Sequence, residues 1–464
     1  MKSLPERDAP GGKASRLPRG RDALAPRDGR GGSAPTPGFS VSRGYRRYVL
    51  GLLLVVMILN YADRYVIGIL LPQIKTDLAL SDTQIGFITG AAFTVFYALL
   101  GVPIASLADR RSRRRIIAAA LALWSLMTCL CGMARSFVQL AIFRVLVGIG
   151  EAGCTPPSHS LISDYFSPKE RAMAMAVLGL GSSVGVFLAF LIGGWITDAY
   201  GWRVTLVSFG APGVLIALVV YFTLRDPPRG HSEGLEVAEK APRMYPAFRS
   251  LWAKGTFRYM VLGGSMYGMV STALLAWLPS FYTRTHGLEV ATVGTWLAFT
   301  KALPHAAGTL LGGLLASRLA KYGAKPPIYL CAGVQVLAAP FYALVLLAPD
   351  PTAALLWLIV PACVGVMQGP VLFATIQGVA EVRTRAVASA LMILIINLIS
   401  GVIGPQSVGV ASDFLAGSLG VDSLGVSLLV VSVVCSLGAA ALFYLASRSV
   451  EQDLLHARSP ERAD

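Results

Sequence analysis

Twelve long apolar runs, separated by short polar connections, limit what this chain can fold into more than any other feature. They lie at 46–71, 84–108, 114–134, 137–165, 170–197 and 203–224, and, beyond a polar stretch from Arg225 to Gly255, at 257–283, 290–317, 327–348, 353–380, 386–412 and 424–447. A bilayer core of roughly 30 Å is crossed by a helix of about 20 apolar residues, and every run meets that length. Composition agrees. Only 14% of the 464 residues are charged and 55% are hydrophobic, whereas a soluble domain carries about 25% charged residues. The fold class predicted is an all-α polytopic membrane protein of twelve transmembrane helices, arranged as two pseudo-symmetric bundles of six.

The formal charge of +15 would point to nucleic acid in a soluble protein, but its distribution is that of a topology signal. Connections after even-numbered runs hold nineteen basic residues: five from Arg110 to Arg115, Lys169, Arg171, seven from Arg225 to Arg258, Arg318, Lys321, Lys325, Arg383 and Arg385. The other connections hold four, namely Lys75, Arg135, Arg203 and Arg284. Basic loops stay inside, so both termini are expected in the cytoplasm, with bilayer lipids as partners of the loops and no nucleic acid. Residues 1–44 have no apolar core of the kind a signal peptide needs and read as a disordered cytoplasmic tail. The first bundle is expected at 45–224, a central cytoplasmic loop at 225–255, the second bundle at 256–448 and a short tail at 449–464. The six cysteines fall in apolar runs without metal-type spacing and read as core residues.

Three pairs of segments, two with nearly the same offset and a third a few residues shorter, mark an internal repeat. Gly194 to Asp198 is echoed by Gly409 to Asp413, Glu170-Arg171-Ala172 by Thr384-Arg385-Ala386, and Leu107 to Arg110 by Leu315 to Arg318.

The loop after the second run reads Ala105-Ser-Leu-Ala-Asp109-Arg110-Arg111-Ser112-Arg113-Arg114, and the fourth run contains Arg144-Val-Leu-Val-Gly148-Ile-Gly150-Glu151. Both resemble signatures of the major facilitator superfamily, with Ala105 and Ser112 standing where that family usually has glycine. Asn60-Tyr-Ala-Asp63-Arg64-Tyr65 and Gly150-Glu151-Ala152 resemble the Spinster family, whose best-known members export sphingosine-1-phosphate and related lysolipids. The same motifs are similar to those of the anion:cation symporters, which import organic anions. The Spinster resemblance implies proton coupling at the corresponding Asp and Glu.

Charges inside the membrane carry the chemistry. Asp63, Arg64, Arg144, Glu151 and Lys301 lie well within apolar runs, at about 2.5–3.5 kcal/mol each, so they must be paired or wetted in a cavity. Arg144 and Glu151, seven residues apart, share a face two turns apart; Asp63 and Arg64 diverge by about 100°. The economical arrangement pairs Asp63 with Arg144, as a coupling site or as a static packing pair, and leaves Arg64 and Glu151 facing the cavity. Burial disfavours the charged form of a carboxylate, which suits Glu151 as a proton carrier; for Asp63 that role is what the Spinster resemblance implies. The planar fork of Arg64 suits a phosphate or carboxylate. Arg64, Arg144, Lys301 and Tyr267 form the expected substrate site, with His305 one turn beyond Lys301. Lys301 has an alternative in snorkelling to an interface, and His305 in simple packing. Met260, Met266, Tyr267, Trp277 and Phe281 offer a lipid-like substrate an apolar wall. Asp109, Arg110, Arg113 and Arg114 are expected to work as a cytoplasmic gate whose pairs form in one conformation only.

No P-loop, zinc, haem or nucleophile–base constellation is present in the sequence, so neither an ATP-driven pump nor an enzyme is expected, and no cofactor or metal. The function expected is proton-coupled transport of an anionic amphiphile, such as a sphingosine-1-phosphate-like lysolipid, across the cell membrane by a monomer. The alternative is an organic-anion symporter. A sensor that kept the fold but lost transport would leave the buried charges without a task.

Overall fold

In the computed structural model the described residues are 41–108, 110–228, 244–381 and 384–458. Most of the expected N-terminal tail, the middle of the central loop and Asp109 lie outside them. The chain runs through α1 (Arg43–Leu78), α2 (Asp82–Thr89), α3 (Ala91–Ala108), α4 (Arg113–Cys131), α5 (Phe137–Glu151), α6 (Thr155–Tyr165) and α7 (Pro168–Thr223). After the central connection come α8 (Met244–Ala253), α9 (Gly255–Thr285), α10 (Val290–Leu297), a π-helical turn (Ala298–Ala302), α11 (Leu303–Leu319) and α12 (Lys325–Leu347). The last elements are α13 (Pro351–Trp357), α14 (Ile359–Val364), α15 (Gln368–Val379), α16 (Arg385–Leu419) and α17 (Ser423–Arg458). The tail expected from residue 449 is instead helical as far as Arg458.

Among the described residues nine helical stretches are long and apolar enough to cross a bilayer, but two of them are 51 and 69 residues long, far beyond one crossing of about 20. In the first, the hydroxyls of Thr197 and Thr205 are 3.0 Å apart, although eight residues of straight helix span about 12 Å. The chain reverses there at Gly201, whose φ of +80° and ψ of 167° belong to a region essentially reserved for glycine. The second reverses at Gly420, with φ of +55°. With these two hairpins, and with 290–319 as a further crossing, the crossings number twelve, in two bundles of six.

Four crossings expected as single helices are interrupted, the second at Gly90 between α2 and α3, and the fourth, eighth and tenth where a proline ring meets the carbonyl four residues back. Pro156 and Pro157 oppose Ala152 and Gly153, between α5 and α6. Pro304 opposes Thr300, inside the π turn. Pro361 opposes Trp357, the last residue of α13. Other prolines, such as Pro279 and Pro405, sit inside continuous helices.

Among the described residues the two halves are hydrogen-bonded to each other on one side only. Both ends of the described chain lie on what is here the terminal side. Every hydrogen bond between the halves among the described residues lies on the opposite, far side. The repeat noted in the sequence explains its layout. Asp413, at the end of the eleventh crossing, accepts the backbone N–H groups of Asp82 (3.0 Å) and Thr83 (2.7 Å) at the start of α2. Asp198, its counterpart in the fifth crossing, accepts that of Ala291 (2.7 Å) at the start of α10. Each half thus caps a helix of the other, satisfying donors that have no partner within the helix. Gly194 and Gly409 let the backbones close: a Cβ at Gly409 would stand 2.3 Å from the Asp82 carbonyl oxygen, and one at Gly194 2.9 Å from that of Val290. Asp82 also binds Lys75 (2.6 Å), Arg284 (2.9 Å) and Ser412 (2.7 Å).

On the terminal side the ion pairs stay within one half, as in Arg46–Glu170 at 2.9 Å and Lys325–Glu451 at 2.7 Å. The apolar core follows suit. Its larger cluster runs from Val49 and Trp124 across to Trp277, Phe281 and Leu424, whereas the smaller one, around Phe257, Met260 and Phe443, belongs to the second half alone.

Removing a helix cap costs about 1–2 kcal/mol. Asp413→Ala is therefore expected to speed amide exchange across Asp82–Thr89 about fivefold to thirtyfold, measured by hydrogen–deuterium exchange mass spectrometry. Unchanged exchange would show that the cap does not hold this side closed.

Candidate functional site

The site is built on the middle of α1, where Arg64 reaches α3 and α5 and Tyr61 and Tyr65 border α7. Arg64 reaches Glu151 on α5 with two donors, Nε at 2.9 Å and Nη2 at 2.7 Å, both to Oε2. Its Nη2 also lies 3.4 Å from Asn60 Oδ1. Glu151 is completely buried, and the Arg64 side chain keeps 16% of its surface exposed. The guanidinium stands over three rings, Tyr61 at 5.2 Å, Phe93 at 4.9 Å and Tyr97 at 4.7 Å. Phe93 is shared with Arg144, whose guanidinium lies 5.2 Å from the same ring. Attraction to the ring faces gives both cations a second source of stabilisation in a site poor in water.

Asp63 and Arg144 are also buried, but they form no ion pair, which corrects the arrangement expected from spacing. Spacing along α5 puts Arg144 and Glu151 on one face. Which of them meets α1, and at what depth, depends on the rotation of α1 against α3 and α5. Gly148, where a Cβ would stand 2.6 Å from the Phe93 carbonyl oxygen, sets that approach. Glu151 consequently takes Arg64 as its partner. Trp124 and Thr128 adjoin the Asp63 carboxyl, and Asn60 adjoins Glu151, but none of these contacts closes to a hydrogen bond of full geometry. A carboxyl held this way is costly as an anion.

Two cavities adjoin this cluster and share Tyr65 and Leu275 as a wall. The first, about 90 Å³, lies between α1, α3, α9 and α16, and its cation is Arg64. The second, about 210 Å³, lies between α1, α7, α9 and the π turn, and its cation is Lys301, with His305 beside it. Tyr267 stands behind Lys301 with Tyr342. Arg144 lines neither cavity. Of the apolar wall expected on the seventh crossing, Met260, Trp277 and Phe281 are buried in packing, and Trp277 Nε1 donates to the Pro405 carbonyl (3.0 Å).

The expected gate residues fare differently. Arg110 is exposed. Arg113 is buried and binds Asp164, Asp226 (2.9 Å), Ser160 (3.0 Å) and the Pro227 carbonyl (2.6 Å). Arg114 lies 3.4 Å from the Leu224 carbonyl and over Tyr221. Those bonds tie α4 to α6 and to the start of the central connection, all within the first half. What spacing missed is the far-side group of Asp82, Arg284, Asp198 and Asp413. Its only signal was the echo of Gly194–Asp198 in Gly409–Asp413.

Residues 53–405 match the model of the Major Facilitator Superfamily. An MFS-type efflux pump of Mycolicibacterium smegmatis is 32% identical over 407 residues, covering 88% of this chain and 94% of that protein. A crystal structure of a bacterial homologue of the human lysosomal transporter Spinster, inward-facing and occupied, superposes with TM-score 0.80 at 32% identity, over 89% of this chain and 99% of the other. A probable L-galactonate transporter of Escherichia coli is 30% identical over 286 residues, 59% of this chain and 62% of that protein.

Removing one member of a buried pair strands the other, at about 3–5 kcal/mol. Arg64→Gln and Glu151→Gln are each expected to lower the melting temperature of detergent-purified protein, and the double variant to recover much of the loss. A double variant no more stable than the singles would contradict the pairing.

Proposed function

Because the chain belongs to the Major Facilitator Superfamily and is a transporter of the Spinster type, we propose that it is a proton-coupled secondary transporter of organic anions working by alternating access. The observation that carries this reading is the buried Arg64–Glu151 pair beside the unbonded carboxyl of Asp63, at the wall of a cavity between the halves. Two guanidinium groups and two carboxylates balance. A proton on Glu151 or Asp63 leaves one uncompensated positive charge, and a bound anion restores neutrality. Low dielectric makes both imbalances costly, so proton and anion favour each other's presence, which is thermodynamic coupling.

The bundles at 45–224 and 256–448 are the moving bodies, joined by 225–255. Basic connections on the terminal side support a cytoplasmic location for both ends, and the far-side bonds then make this an inward-facing state in the cell membrane. Arg110, exposed on the terminal side, is the gate residue that would meet the other half once that side closes; Arg113 and Arg114 would first have to leave their partners within the first half.

An anionic amphiphile of the lysolipid kind is the substrate that the likeness to Spinster supports. A small hydroxylated organic anion is the second reading, favoured by Ser183 and Ser271 in the lining of the Lys301 cavity and by the similarity to a galactonate transporter. Counterflow in proteoliposomes, with sphingosine-1-phosphate against a sugar acid, separates them. For the coupling itself, Glu151→Gln is expected to reduce uptake driven by a pH gradient to background. Undiminished pH-driven flux would overturn its role.

A further inference from the structure

The coupling pair leaves the Lys301 cavity without a task. Lys301 is only 6% exposed; among the described residues it makes no hydrogen bond or ion pair, and no carboxylate lines its cavity. A buried ammonium without a counter-ion is expensive and persists where something else repays the cost. Its position is specified by the backbone. Pro304 opens the helix into the π turn Ala298–Ala302, and such turns frequently mark functional places in helices. Tyr65, Ser183, Ser271 and His305 line the same space. The volume of about 210 Å³ is well above what a single water needs, so the cavity has room for a charged head group. Arg64, the other cation at the cavities, already gives two donors to Glu151.

We propose that this cavity is the head-group site of the substrate, taking one carboxylate or phosphate monoester flanked by hydroxyl groups, with Lys301 as its counter-ion. The site divides labour with the first half: the proton is handled at Asp63 and Glu151, the anion at Lys301, and Tyr61 and Tyr65, which border both, connect them. The inference rests on the anion-transport reading, and its test is a binding measurement that needs neither flux nor a proton gradient, so the two fail separately.

Thermal unfolding of the purified full chain is followed with sodium glucuronate, with sphingosine-1-phosphate, and with glucose as an uncharged control. At least one anion is expected to raise the melting temperature of the wild type and glucose to leave it unchanged. Stabilisation by glucuronate alone assigns the head to a free sugar acid, and by sphingosine-1-phosphate alone to a lipid. Lys301→Gln should weaken anion binding about tenfold to a hundredfold, and Lys301→Arg should restore most of it. In case Lys301→Gln does not fold, the paired change Ser183→Ala and Ser271→Ala keeps the charge and should weaken binding about threefold to thirtyfold. Wild-type affinity in Lys301→Gln or in the serine pair, or stabilisation of the wild type by neither anion, would overturn the assignment.

Discussion

Keeping guanidinium groups and carboxyls inside a bilayer is the constraint from which the rest of this molecule follows. Each such charge costs about 2.5–3.5 kcal/mol to insert, and the first half holds four. Arg64 and Glu151 offset the cost by pairing, with three aromatic rings packed on the guanidinium. Arg144 shares one of those rings, and the Asp63 carboxyl is left without a bond. Because the group is neutral as a whole only when all four are ionised, a proton and an anion each disturb it in opposite senses. The proposed coupling therefore needs no group beyond those that the fold already has to accommodate.

The scaffold around this cluster is organised by two backbone devices. Prolines interrupt the fourth, eighth and tenth crossings at the carbonyls they oppose, and one of these interruptions delivers Lys301 to the cavity wall. On the far side, Asp198 and Asp413 cap helices of the opposite half, so the pseudo-symmetry of the fold is also the symmetry of its closure. Hydrogen bonds to backbone N–H groups at helix starts break and re-form without rearranging the helices themselves, which suits a contact that must open in each cycle.

Much of this was legible in the sequence. Run lengths and charge sparsity gave twelve crossings, and insertion cost singled out Asp63, Arg64, Arg144, Glu151 and Lys301, all of which lie in or beside the central site. Partner choice was not legible. Positions along α5 fix which residues share a face but not how α1 is rotated against it, so Asp63 was matched with Arg144 where Arg64 meets Glu151. Of the apolar wall expected on the seventh crossing, Met260, Trp277 and Phe281 turn into packing for the same reason. The far-side capping was visible only as a repeated Gly-to-Asp spacing. Its meaning depends on contacts between residues more than 300 positions apart, such as Asp82 with Asp413, which no local pattern encodes.

The central claim is that the buried carboxyls change protonation while the cluster stays folded. Infrared difference spectroscopy of the reconstituted protein measures this directly, by the carbonyl band of a protonated carboxylic acid as the buffer is acidified. The account predicts that such a band grows on acidification, is reduced in Asp63→Asn and in Glu151→Gln, and shifts when a transported anion is added. A spectrum in which the buried carboxyls show no change with pH, in protein that remains folded and active, would contradict it.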